Sequence, residues 1–155
     1  MHLSEARTRH IHPMKKIVTL LLAALTASAL ASDFPKGSPA FKTSATEAIA
    51  AGKAEGKPVI LVFSASWCPP CQMMKKEVYP SQQVKGYHDQ FIWAYLDVDE
   101  DSNSKAATKA GVNGIPHIQI LSPEGKEVAK QVGSSAPEDF AKKLKGVLAK
   151  TKKAE

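Results

Sequence analysis

The sequence predicts an α/β fold: a central mixed sheet of about four strands flanked by helices. Three observations lead there. Two strongly apolar runs, Val59-Ile60-Leu61-Val62-Phe63 and Phe91 to Val98, have the composition of strands. Helical stretches precede, separate and follow them. The turn chemistry of Ser122-Pro123-Glu124-Gly125-Lys126 then joins two more strand-like segments, His117 to Leu121 and Glu127 to Val132, as an antiparallel hairpin.

The first 31 residues stand apart from this pattern. Met14-Lys15-Lys16, the apolar run Ile17 to Leu25 and the small residues Ala29-Leu30-Ala31 have the order of a secretory signal peptide with its cleavage site. The run is too short to span a bilayer. Because a complete signal starts at Met14, residues 1–13 read as an extension ahead of a start at Met14. The expected organisation is residues 1–31 as extension and signal and 32–155 as one domain, with a core of about 44–150, periplasmic or secreted after cleavage. A hydrophobic content of 43% with 23% charged residues in 155 residues suits one globular domain. The formal net charge of +6, part of it from Arg7, Arg9, Lys15 and Lys16, is too mild to argue for nucleic acid.

Within the domain, Ser44-Ala45-Thr46-Glu47 has capping-box spacing and opens an alanine-rich helix ending near Gly56. Pro58 precedes the first strong strand. Cys71 to about Tyr79 reads as a helix stopped by Pro80, and Gln82 to Gln90 as a shorter helical stretch. In the second strong strand Trp93 and Tyr95 face away from Ile92 and Leu96. Asp99-Glu100-Asp101 lacks EF-hand spacing and reads as the solvated start of a helix over Ser104 to Ala110. Ser135 and Glu138 form a second capping box before a final helix with the apolar stripe Phe140, Leu144, Val147 and Leu148.

The chemistry concentrates at Trp67-Cys68-Pro69-Pro70-Cys71, which holds both cysteines of the chain. A CxxC between a strand and a helix brings two thiols within disulfide reach and sets the first at a helix N-terminus, whose dipole favours thiolate. A purely structural bridge over so short a loop would constrain the unfolded chain little. The prolines fix two φ angles at the helix start. Met73, Met74 and His117 also raise a copper reading, a Cu(I)-binding or delivery module using Cys68, Cys71 and His117. Methionines on the helix after such a pair are more often core filling.

The order strand, CxxC helix, strand, helix, hairpin and helix, with Gly114-Ile115-Pro116 opening the third strand, resembles the thioredoxin superfamily over about residues 44–150. Gly56-Lys57-Pro58-Val59 and Ala65-Ser66-Trp67-Cys68 are similar to exported thioredoxin-like proteins and to the soluble C-terminal domain of periplasmic thiol:disulfide interchange proteins. The resemblance implies an exposed nucleophile at Cys68 and a resolving thiol at Cys71. It implies a cis-proline at Pro116 lying against the disulfide, and substrate pairing through the Ile115 backbone. Trp67 reads either as a shield of the disulfide or as a core residue. His117, where the family often has threonine, reads either as a cation beside Cys68 or as an ordinary strand residue. A buried aspartate and a partnering lysine of many thioredoxins are replaced by Val62 and Tyr95.

The reading that results is an exported thiol-disulfide oxidoreductase acting on protein thiols and disulfides through a mixed disulfide. It is expected to be a monomer needing no metal or diffusible cofactor beyond the Cys68–Cys71 pair, recycled by a redox partner such as a membrane electron donor. Besides the copper module, a non-catalytic thioredoxin-like adaptor stands as an alternative. Reductant, oxidant and isomerase share these residues.

Overall fold

A computed structural model describes residues 33–151. The signal read in residues 1–31 and its cleavage site lie outside the described residues. In chain order the elements are β1 (Phe41–Lys42), α1 (Ala45–Glu55), β2 (Val59–Ser64), α2 (Pro69–Met73) with a π-helical continuation over Met74–Val78, α3 (Gln82–Lys85), a 3-10 turn (His88–Gln90), β3 (Ile92–Asp97), α4 (Asp101–Lys109), β4 (His117–Leu121), β5 (Glu127–Val132) and α5 (Pro137–Thr151).

The sheet runs β1-β3-β2-β4-β5. β3 pairs in parallel with β1 and β2, whereas β4 is antiparallel to both β2 and β5. β2 is therefore central and buried along its whole length, which is why its sequence is a continuous apolar run rather than an alternating one. Alternate residues feed two cores. On one face Ile60, Val62, Trp93, Ile118 and Ile120 meet Met74 and Val78 below α2 and Phe140, Leu144 and Val147 of α5. On the other, Val59, Leu61, Phe63, Ala94 and Leu96 meet Ala48 of α1 and Ala107 of α4.

Local signals set the ends of α1. Ser44 Oγ accepts from the Glu47 N–H at 3.4 Å, and the chain leaves through Gly56 at φ +62°, a left-handed conformation that glycine adopts without steric cost. Beyond Met73 the helix widens, with the Tyr79 N–H donating to the Met74 carbonyl at 3.1 Å in an i→i+5 bond. Met74, Lys75 and Val78 are all buried in this turn.

Several expectations on element bounds need correction. The sheet has five strands. The additional one, β1, is two residues long and carries no readable periodicity, and only its pairing with Trp93 and Ala94 makes it a strand. α2 begins at Pro69 and α4 at Asp101, earlier than expected. Ser135 does not cap α5, which starts at Pro137; its Oγ instead accepts from Gln131 Nε2 at 3.0 Å, and its N–H points at Met74 Sδ.

α1 lies so close to β2 that only glycine fits at position 52. A Cβ there would fall inside the contact distance of Val59 Cγ2 and 2.9 Å from the Lys57 carbonyl oxygen. Gly52→Ala is therefore expected to cost about 1–3 kcal/mol through overpacking, read as a lower urea midpoint. An unchanged midpoint would mean that β2 and the Lys57 carbonyl move aside freely.

Candidate active site

β2 delivers the chain to the site. Past Ser64 it turns through Ala65, Ser66 and Trp67, and Cys68 becomes the N-cap of α2. Pro69 and Pro70 fill the first helical positions, where a missing N–H costs no intrahelical bond and φ is already set for the helix. Cys68 Sγ accepts from the Cys71 N–H at 3.3 Å, so the sulfur stands where a serine or aspartate oxygen caps other helices. The two cysteines form a disulfide, with S–S 2.04 Å and Cα atoms 5.2 Å apart. It packs against Ala65, Val98 and Ile115. Gln72 Nε2 ties the approach loop by donating to the Ala65 carbonyl at 3.0 Å.

Cys68 is 4% exposed and Cys71 1%. Cys68 is thus the more accessible residue of the two, but it is not openly exposed in the oxidised state, where Ala65, Val98 and Ile115 pack against the bridge. Trp67 is 65% exposed, which excludes a core role. Its indole Nε1 donates to Asp99 Oδ2 at 2.8 Å, and the Asp99 N–H in turn donates to Asp97 Oδ1. Sequence reasoning treated Asp99 only as part of a solvated helix start. The partners are 32 positions apart, and nothing in the acidic run distinguishes this carboxylate.

The Ile115–Pro116 peptide bond is cis. The Gly133 N–H donates to the Pro116 carbonyl at 2.8 Å, which fixes the loop to the end of β5 and brings Val132, 56% exposed, beside it. Sequence reasoning did not single out Val132, since alternation in an edge strand gives no sign of which face it takes.

His117 follows the cis bond at the start of β4, opposite Phe63 and Val132. It is 3% exposed, and its ring meets Phe63 edge-on with centroids 6.0 Å apart. Neither ring nitrogen has a hydrogen-bond partner among the described residues. Burial holds its pKa below the ordinary imidazole value, Lys130 pushes it the same way and Glu127 opposes. Desolvation disfavours the protonated ring, which favours the reading of His117 as a packed strand residue over that of a cation beside Cys68. Both sulfurs that the copper reading invoked lie in the bridge, and the imidazole lies against Phe63. Among the described residues no cluster of three histidine, cysteine or acidic side chains could hold a metal. Met74 is core, as its alternative reading held.

Val62 and Tyr95, at the two replaced family positions, are register partners. Val62 is wholly buried, and the Tyr95 hydroxyl hydrogen-bonds Ser64 Oγ.

The disulfide thus caps α2 next to an exposed indole, with Ile115 of the proline loop packed against it. Residues 45–148 match the thioredoxin-like domain family, and the chain belongs to it. The chloroplastic thioredoxin-like protein HCF164 of Oryza sativa is 36% identical over 78 residues, 50% of this chain and 29% of that protein. The thiol:disulfide interchange protein DsbD of Pseudoalteromonas atlantica is 27% identical over 104 residues, 64% of this chain and 18% of that protein. The solution structure of a thioredoxin from Thermus thermophilus aligns with a TM-score of 0.64 at 29% identity, over 70% of this chain and 87% of that one. The chain spans less than a third of the length of these two curated relatives.

The lowered pKa of His117 has a stability consequence of definite sign. On acidification the unfolded chain takes up this proton first, so the contribution is fully present above about pH 6.5 and is lost as pH falls toward the native pKa. Between about pH 7 and about pH 5 the denaturant midpoint of the native protein is expected to fall more than that of His117→Thr. Parallel falls would show that the ring is not the source.

Proposed function

We propose that this chain is an exported thiol-disulfide oxidoreductase that exchanges the Cys68–Cys71 pair with protein substrates. The observation that carries the reading is the disulfide at the N-terminus of α2, with Cys68 capping the helix and Trp67 exposed beside it. The family and the similarity to a DsbD named as a thiol:disulfide interchange protein support it. Export rests on the Met14 to Ala31 pattern.

In the reducing direction, the Cys68 thiolate attacks one sulfur of a substrate disulfide. The substrate's S–S bond breaks, its other sulfur leaves as a thiolate and takes a proton, and a mixed disulfide remains. Cys71 then loses its proton and attacks Cys68 Sγ, forming the intramolecular bridge and releasing the second substrate thiol. Two electrons pass to the substrate. A redox partner, a membrane electron donor among the candidates, returns them for the next cycle, and the protein works as a monomer without metal or diffusible cofactor.

The helix N-terminus favours the Cys68 thiolate through its free N–H groups. The Ile115 backbone pairs with an extended substrate segment beside Pro116, and Trp67 and Val132 offer apolar contacts on either side. His117 serves as a packed strand residue below this loop.

Cys71→Ser is expected to accumulate mixed disulfides with substrate proteins, resolved on a non-reducing gel, and Cys68→Ser is not. Trapping by Cys68→Ser alone would reverse the roles. A wild-type protein that neither reduces nor oxidises a protein disulfide would leave the adaptor reading in its place.

A further inference from the structure

Among the described residues, the buried polar or charged side chains are Ser64, Lys75, Asn103, His117 and Ser122. Lys75 is the one lysine in that set, and it lies on the helical segment that carries Cys71, four residues on. Side chains four apart share a helix face, and long ones lean back over the preceding turn, here the turn of Cys71. Lys75 is 8% exposed. Its Nζ lies 4.5 Å from the centre of the Phe34 ring and 5.7 Å from that of Tyr95, and its ion-pair partner is Asp33 Oδ2 at 2.8 Å. The Tyr95 hydroxyl bonds Ser64, whose strand neighbour Ala65 packs against both cysteines. A continuous set of contacts thus joins Asp33, fully exposed, to the disulfide. The other charged and titratable groups nearby are Lys76, which helps lower the pKa of Asp33, and Tyr79, whose pKa burial and then Tyr95 raise.

We propose that Lys75 is the electrostatic partner of Cys71, favouring its thiolate in the resolving step, and that Asp33 sets how much of this charge the dithiol feels. A buried thiol otherwise holds its proton, because burial disfavours the charged form, and a nearby cation in a low-dielectric interior offsets that. Lys75 touches no reacting atom and acts through the field alone. The inference rests on the exchange reaction proposed above for its significance, but its primary test does not.

The test uses Cys68→Ala, in which Cys71 is the only thiol, titrated by thiolate ultraviolet absorbance and alkylation rate. Adding Lys75→Met, close in volume and uncharged, is expected to raise the Cys71 pKa by about one unit, while Lys75→Arg restores it. Adding Asp33→Asn, on a fully exposed side chain, is expected to lower it. In the two-cysteine protein, Lys75→Met is expected to slow resolution of a preformed mixed disulfide about threefold below the thiol pKa, since the lost thiolate fraction is partly offset by the higher nucleophilicity of a more basic sulfur. Circular dichroism and the urea midpoint identify a misfolded Lys75→Met, in which case Asp33→Asn alone decides. An unmoved Cys71 pKa in a folded Lys75→Met, or a rise in Asp33→Asn, overturns the inference. A protein inactive toward disulfides that still shows these shifts overturns the proposed function and leaves the inference standing.

Discussion

The burial of β2 between two sheet partners is the constraint on which the rest depends. Its residues pair on one side with β3 in parallel and on the other with β4 in antiparallel, and both of its faces are covered by helices. A strand so enclosed has no freedom to slip, because moving by one residue would exchange the two cores. The end of β2 is thereby fixed, and with it the point where the chain turns into Trp67 and Cys68. The parallel neighbour ends at the same level, which brings Asp97 and Asp99 to that edge. The antiparallel neighbour begins there, which brings Ile115, Pro116 and His117. Three strand ends meet at one edge of the sheet, and the disulfide sits among them.

Helix α2 uses this position economically. The prolines leave few backbone N–H groups unsatisfied at its first turn, and one that remains, that of Cys71, is given to Cys68 Sγ. The sulfur is at once a cap and a redox centre, so the same orphan donors that need an acceptor in the folded helix favour negative charge on Cys68 when the bridge opens. The next turns serve the core: the π-helical segment turns Met74 and Val78 toward the sheet and carries Lys75 beneath the lead-in at Phe34.

Much of this was legible in the sequence because it is local. The unbroken apolar run of β2, the turn between β4 and β5, the stripe Phe140-Leu144-Val147 and the CxxC each announce themselves within a few residues. Ser44 and Gly56 mark the ends of α1 by side-chain and backbone chemistry that needs no partner elsewhere. What escaped is long-range. β1 exists only by pairing with β3, and the Asp99 carboxylate matters only because Trp67 comes to it. Lys75, one of two adjacent lysines, carries no sign that it is the buried one. The same holds for His117, whose strand start could have been solvated but is enclosed by Phe63, with a pKa lowered by that burial.

The contrast between the two tryptophans reaches beyond the chemistry. Trp93 is 2% exposed and ringed by Phe41, Tyr79, Phe91 and Phe140, whereas Trp67 stands in solvent one residue from a sulfur that changes bonding state. Two indoles in such unlike settings make the chain its own optical instrument. Loss of the fold changes the surroundings of the enclosed ring most, whereas a change at the bridge falls one residue from the open one.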